Sequence, residues 1–121
     1  MATQDRCVSI HPYFSVPDSK LDEARAYLER FVELTQNEPN CLYYGFSIDG
    51  NQIHCREGYL GGEGLLAHLE NVGELLGEFL EKLATVTRLE IHGLADEIEK
   101  VKEPLAPFSP QYFVLEYGIR N

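Results

Sequence analysis

The chain has no tryptophan, one methionine, three cysteines, and ten basic residues against twenty acidic ones. Each shortage excludes something. Cys7, Cys41 and Cys55 are an odd set without zinc-type spacing, so neither a disulfide framework nor a structural zinc site fits them. At a formal charge of −10, phosphate backbones and anionic membrane surfaces meet a repulsive field, so neither nucleic acid nor membrane is an expected partner. No apolar run approaches the ~18 residues that a transmembrane helix requires. MATQDRCVSI has neither the basic start nor the apolar run of a signal peptide, and a reduced, cytoplasmic setting is expected. No metal-ligand spacing, Lys-Ser/Thr phosphate loop or nucleophile elbow occurs, so neither metal nor cofactor is expected.

What is present is a regular succession of elements that fits one domain over residues 1–121. Cys7 to Val16 alternates, with Val8, Ile10, Phe14 and Val16 on one face and Cys7, Ser9, His11, Tyr13 and Ser15 on the other. Pro17 ends this strand, and Ser19 with Asp22 reads as a capping box ahead of a helical stripe of Leu21, Ala24, Leu28, Phe31 and Val32. Asn37-Glu38-Pro39-Asn40 stops that helix.

A second and third strand, CLYYGFSI and QIHCREGY, flank the hairpin turn Asp49-Gly50-Asn51. Leu42, Tyr44, Phe46 and Ile48 share one face of the former; Ile53, Cys55, Glu57 and Tyr59 share one face of the latter. Gly61, Gly62 and Gly64 then break the extended chain. Leu65, Leu69, Val72, Leu76, Phe79 and Leu83 keep helical spacing, which Asn71 and Gly73 are expected to divide into two short helices. Thr85 to Gly93 is a fourth strand, in which Thr87, Leu89 and Ile91 oppose Val86, Arg88, Glu90 and His92. A third helix runs from Ala95 to about Glu103 and stops at Pro104. Gln111 to Tyr117 reads as a late fifth strand.

The order β-α-β-β-α-β predicts an α+β fold, a ferredoxin-like antiparallel sheet with helices on one face. The bare face, with Tyr13, Tyr43, Tyr112 and Cys7, wants a partner, and a homodimer packed sheet to sheet is expected, the fifth strand reaching across to the neighbour. In such a sheet the first strand lies between the third and fourth. That brings His11 toward His54 and Arg88 and leaves His92 remote from the other two strand histidines, which makes a three-histidine metal site awkward.

Arg56-Glu57-Gly58-Tyr59 followed by LGGEGLLAHLEN resembles the strand-to-helix segment of the antibiotic biosynthesis monooxygenase family, in which an aromatic-Glu-x-aromatic strand leads into a helix ending in His. Glu57, Tyr59 and His68 match that pattern. The resemblance implies a dimeric α/β barrel and a cofactor-independent monooxygenase acting on a quinol-like or polycyclic aromatic molecule. Haem-degrading relatives carry tryptophan near the His68 position and histidine where this chain has Glu78, so haem chemistry is not implied.

Histidine alone has an ordinary pKa that lets it take and return a proton near neutrality, so His11 and His68 are the candidate catalytic bases. Tyr13, Tyr59, His54 and Arg88 are the candidate substrate-binding residues, and Tyr43, Tyr44 and Tyr112 are further candidates for an aromatic pocket. Glu57 reads as an anchor of the strand-to-helix turn. Opposed to an enzyme is a non-catalytic dimeric domain that binds a small apolar ligand or serves as a scaffold.

Overall fold

Alternation of apolar and polar side chains sets the inner face of the central strand in the computed structural model, which describes residues 1–121. Strands β2 (Cys41–Asp49) and β3 (Gln52–Leu60) form the expected hairpin, with Gly50 at φ 60° in its turn, and β3 continues onto β1 (Cys7–Ser15). Strand β4 (Thr85–Gly93) covers the other edge of β1, and β5 (Gln111–Val114) pairs parallel to β4. The sheet order is β2-β3-β1-β4-β5. Helices α1 (Leu21–Thr35), α2 (Gly61–Lys82) and α3 (Ala95–Leu105) complete this α+β, ferredoxin-like architecture.

Two buried clusters form the core. One gathers Phe14, Phe31, Ile53, Val72 and Phe79, and the other gathers Val8, Ile10, Tyr59, Leu65, Ile91 and Leu105. Helix α2 contributes to both, which is why Asn71 and Gly73 do not divide it. Over 22 residues its buried face of Leu65, His68, Val72, Leu75 and Phe79 outweighs the local helix-breaking preference of two exposed positions.

Other expectations are corrected in the same way. The capping box of Ser19 and Asp22 does not form: residues Asp18–Lys20 make a 3₁₀ turn and no side chain caps α1. Pro104 lies inside the last turn of α3, held there by Leu105, which is only 2% exposed. A register shift between Tyr13 and Phe14 places Val86 opposite Phe14, so Val86 joins the inner face with Leu89 and Ile91. β5 ends at Val114 and not at Tyr117; beyond it, Tyr117 bridges back to Ala2. Pairing of Tyr112 with Ile91 turns that tyrosine inward, against the second core cluster, and not onto the open face.

At the start of α2, Gly61 adopts φ 73°, and the Gly62 N–H donates to the buried Glu97 carboxylate at 2.9 Å. Arg6 and Lys100 neutralise the same carboxylate at 2.9 and 3.0 Å. The glycine-rich turn therefore already holds an anion, supplied by α3, which accounts for its geometry without any phosphate.

Candidate active site

Between the two core clusters a cavity of about 70 Å³ lies under α2, and 15 of its 18 lining residues are hydrophobic. Glu57 and His68 are the only ionisable groups of that lining apart from the Tyr44 phenol and the Cys55 thiol. Strand parity points Glu57 inward beside Cys55 and Tyr59, and the helical spacing of α2 brings His68 down on top of it. His68 Nε2 is 3.4 Å from Glu57 Oε1, and the Tyr59 hydroxyl donates to the same oxygen at 2.6 Å.

A third element completes the site. Glu38, in the turn that ends α1, accepts a hydrogen bond from His68 Nδ1 at 2.8 Å, and the Asn71 amide holds the same Glu38 oxygen at 2.8 Å. With Nδ1 donating to a carboxylate, the Nε2 lone pair faces Glu57. Asn71 also donates to the Leu34 carbonyl at 2.9 Å, so the residue expected to break α2 instead ties it to the end of α1. The rings of Tyr44 and Tyr59, at 5.1 and 4.8 Å, confine the imidazole.

Burial governs the electrostatics. It pushes the Glu57 carboxyl up to about 7, against opposing hydrogen bonds from Tyr59 and Cys55, and it lowers the His68 pKa although Glu38 pulls the other way. Both shifts favour uncharged forms. At neutral pH the site holds a carboxyl near its midpoint beside a neutral imidazole, an acid and a base in one apolar space. Burial also raises the Cys55 thiol far above its ordinary range and Cys41 to about 11, so neither is a ready nucleophile.

Of the residues expected to form a site, His68 and Tyr59 are here, and His11, Tyr13, His54 and Arg88 are not. Those four stand on the opposite face of the sheet, where Tyr13 pairs with both His54 and Arg88 and stacks on His54 at 4.2 Å between ring centroids. His11 lies 6.0 Å from His54 and only 4.7 Å from His92, so the expected remoteness of His92 is wrong for His11. Ser9 pairs with His92, and the diagonal places His11 alongside. No group of three or more His, Cys, Asp or Glu side chains is arranged to hold a metal ion.

No protein-family profile matches the chain, and no curated protein does. Among solved structures, MupZ from Pseudomonas fluorescens superposes with a TM-score of 0.94 at 43% identity, covering 100% of this chain and 94% of that one. The chain belongs to the MupZ family. The MupZ fold is shared more distantly by a conserved protein of Methanosarcina mazei, at 18% identity and TM-score 0.66 over 72% of this chain and 91% of that one. It is also shared by a candidate antibiotic biosynthesis monooxygenase of Chloroflexus aurantiacus, at 19% identity and TM-score 0.58 over 70% and 89%. The resemblance read from Glu57, Tyr59 and His68 thus holds at the level of fold.

Two residues of this candidate site are read differently from the sequence and from the structure. Glu38 sits in a helix-stopping Asn-Glu-Pro-Asn turn and carries no periodic signal. Glu57 is visible as an inward-facing carboxylate in an apolar strand face, but it is no turn anchor: its partners are Tyr59 and His68.

Proposed function

We propose that this chain is a cofactor-independent enzyme that moves protons on a small, largely apolar molecule held between sheet and α2, with Glu57 as the acid and His68 as the base. The buried pairing of these two groups at an otherwise apolar cavity carries the reading. A scaffold or passive binding domain gains nothing from a desolvated carboxyl, whereas a proton-transfer catalyst needs one titrating near neutrality. Glu38, through the Nδ1 hydrogen bond, positions the imidazole and stabilises its protonated form during the reaction.

Monooxygenation of a quinol is the reaction class supported by the shared fold. There His68 Nε2 takes a phenolic proton, and the electron-rich anion passes an electron to O₂. The two radicals combine at a ring carbon and His68 returns its proton to the peroxide; the O–O bond then breaks as the imidazole takes the hydrogen of that ring carbon and Glu57 protonates the departing oxygen. Hydroquinone plus O₂ gives hydroxylated quinone plus water, so no further reductant is needed. The apolar walls keep water from the intermediate.

Oxygen uptake by metal-free, flavin-free protein over a panel of quinols tests the reaction. Uptake above background is expected, abolished in His68→Ala and retained in His11→Ala, because His11 lies across the sheet. Product formed without oxygen loss would replace monooxygenation by a redox-neutral proton transfer at the same residues. No turnover and no dependence on Glu57 would leave the ligand-binding domain as the reading.

We further propose a homodimer through the open sheet face, where the stacked pairs Tyr13–His54 and His92–Phe113 are only half-covered by their own chain. Light scattering at micromolar concentration should give twice the chain mass of 13.8 kDa. A monomer mass would dismiss the dimer.

A further inference from the structure

The cavity at Glu57 and His68 is small. Its 70 Å³ compares with roughly 10–15 Å³ for a single water, so it takes about one ring-sized group. It has a neighbour, however. Leu69, Leu76, Leu80, Leu105 and Phe108 line it and also line a larger groove of about 440 Å³, which opens between α2 and the turn after α3. Phe108, 48% exposed, stands where the two meet.

Gly73 and Gly77, one turn apart on α2, border the outer groove. Glycine is the poorest helix former after proline, so two of them in a helix interior call for a reason. The fold supplies none. A Cβ at Gly73 or Gly77 would meet nothing within 4 Å, and neither has a positive φ. On the same helix, by contrast, a Cβ at Gly62 would come within 2.8 Å of the Glu97 carbonyl oxygen and one at Gly64 within 3.1 Å of Tyr59. Those two glycines serve packing; Gly73 and Gly77 leave the groove wide.

We propose that Gly73 and Gly77 are specificity-determining positions that keep this groove open for an apolar tail of the molecule whose reacting group sits at Glu57 and His68. The inference rests on that reading of the inner site. The five shared side chains commit the groove to the same ligand, since a molecule larger than one ring at Glu57 and His68 meets them first as it extends outward. The ligand is elongated: a compact polar head within reach of the acid and base, and an alkyl or alkenyl extension passing Leu69, Leu76 and Phe108.

Titration calorimetry with 4-n-alkylphenols, methyl through heptyl, reads both parts separately. In the wild-type chain each methylene that enters the groove should tighten binding up to about fourfold. In Gly73→Leu/Gly77→Leu the heptyl compound should fall back toward the methyl compound, while 4-methylphenol binds as before. Gly73→Ala/Gly77→Ala should melt at a higher temperature than wild type yet bind the heptyl compound less tightly, a combination that a packing role would not produce. Affinity independent of chain length in wild type, or full heptyl affinity in the leucine variant, would overturn the inference. If 4-methylphenol binding responds to Glu57→Gln and His68→Ala while chain length has no effect, only the groove assignment fails. If it responds to neither, the inner site fails with it.

Discussion

Glu57→Gln should lower kcat/KM by about two to four orders of magnitude, the usual worth of a positioned acid or base, while making the folded chain more stable above pH 7. The two effects have one cause. Burial raises the carboxyl from 4.5 to about 7, so below pH 4.5 folded and unfolded chains are both protonated there and the group adds no pH dependence. Between 4.5 and 7 the unfolded chain releases a proton that the folded chain keeps, and stability falls as pH rises. Above 7 the folded chain bears the whole cost of a buried charge, about 3 kcal/mol.

Glutamine has no charge to desolvate, and its carbonyl oxygen still accepts the Tyr59 hydroxyl. Urea denaturation should therefore show the variant gaining up to about 3 kcal/mol at pH 8 and almost nothing at pH 4. Wild-type activity should decline through about pH 7 as the acid form is lost, and the residual activity of the variant should lack that decline. Stability equal to wild type at both pH values would mean that Glu57 is not the buried, neutral-leaning acid described here. His68 works in the opposite sense: its lowered pKa means that stability falls as pH drops below 6.5, where the unfolded chain takes up a proton that the folded chain refuses.

Much of this architecture is legible from residue order, because a two-residue period leaves few choices. Val8, Ile10 and Phe14 had to share a face, and so did Cys55, Glu57 and Tyr59. What alternation does not reveal is the element that stands across from a face. Glu57 meets His68 from a helix and, through it, Glu38 from a turn, separations of 11 and 19 residues that no local pattern encodes. Local propensity misled where tertiary packing outweighed it, at Asn71 and Gly73 in α2. Parity misled where one extra residue slipped the register and turned Val86 inward. The two faces of the sheet explain the rest: His11 and His68 are equally plausible bases in a string of letters, but the sheet separates them, and only His68 is enclosed with a second titrating group.

Phe79→Ala should be the most destabilising single truncation of the core, at about 3–5 kcal/mol, a large fraction of the roughly 5–15 kcal/mol that holds such a domain folded. Phe79 is fully buried, and three rings surround it: Phe14 and Phe31 edge-on at 5.6 Å and Tyr27 at 5.4 Å. The ring thus joins β1, α1 and α2 at one point, and its loss removes aromatic pair contacts as well as buried area. Collapse around the gap is hindered, since Phe79 also lines the cavity beside Glu57 and His68; the new void would merge with an existing one. Two measurements follow. The urea midpoint should drop with an unchanged slope, and benzene at millimolar concentration should restore part of the loss by filling the enlarged apolar space. A cost below about 1.5 kcal/mol would mean that the three rings close over the gap, and the cavity under α2 would then be softer than its packing implies.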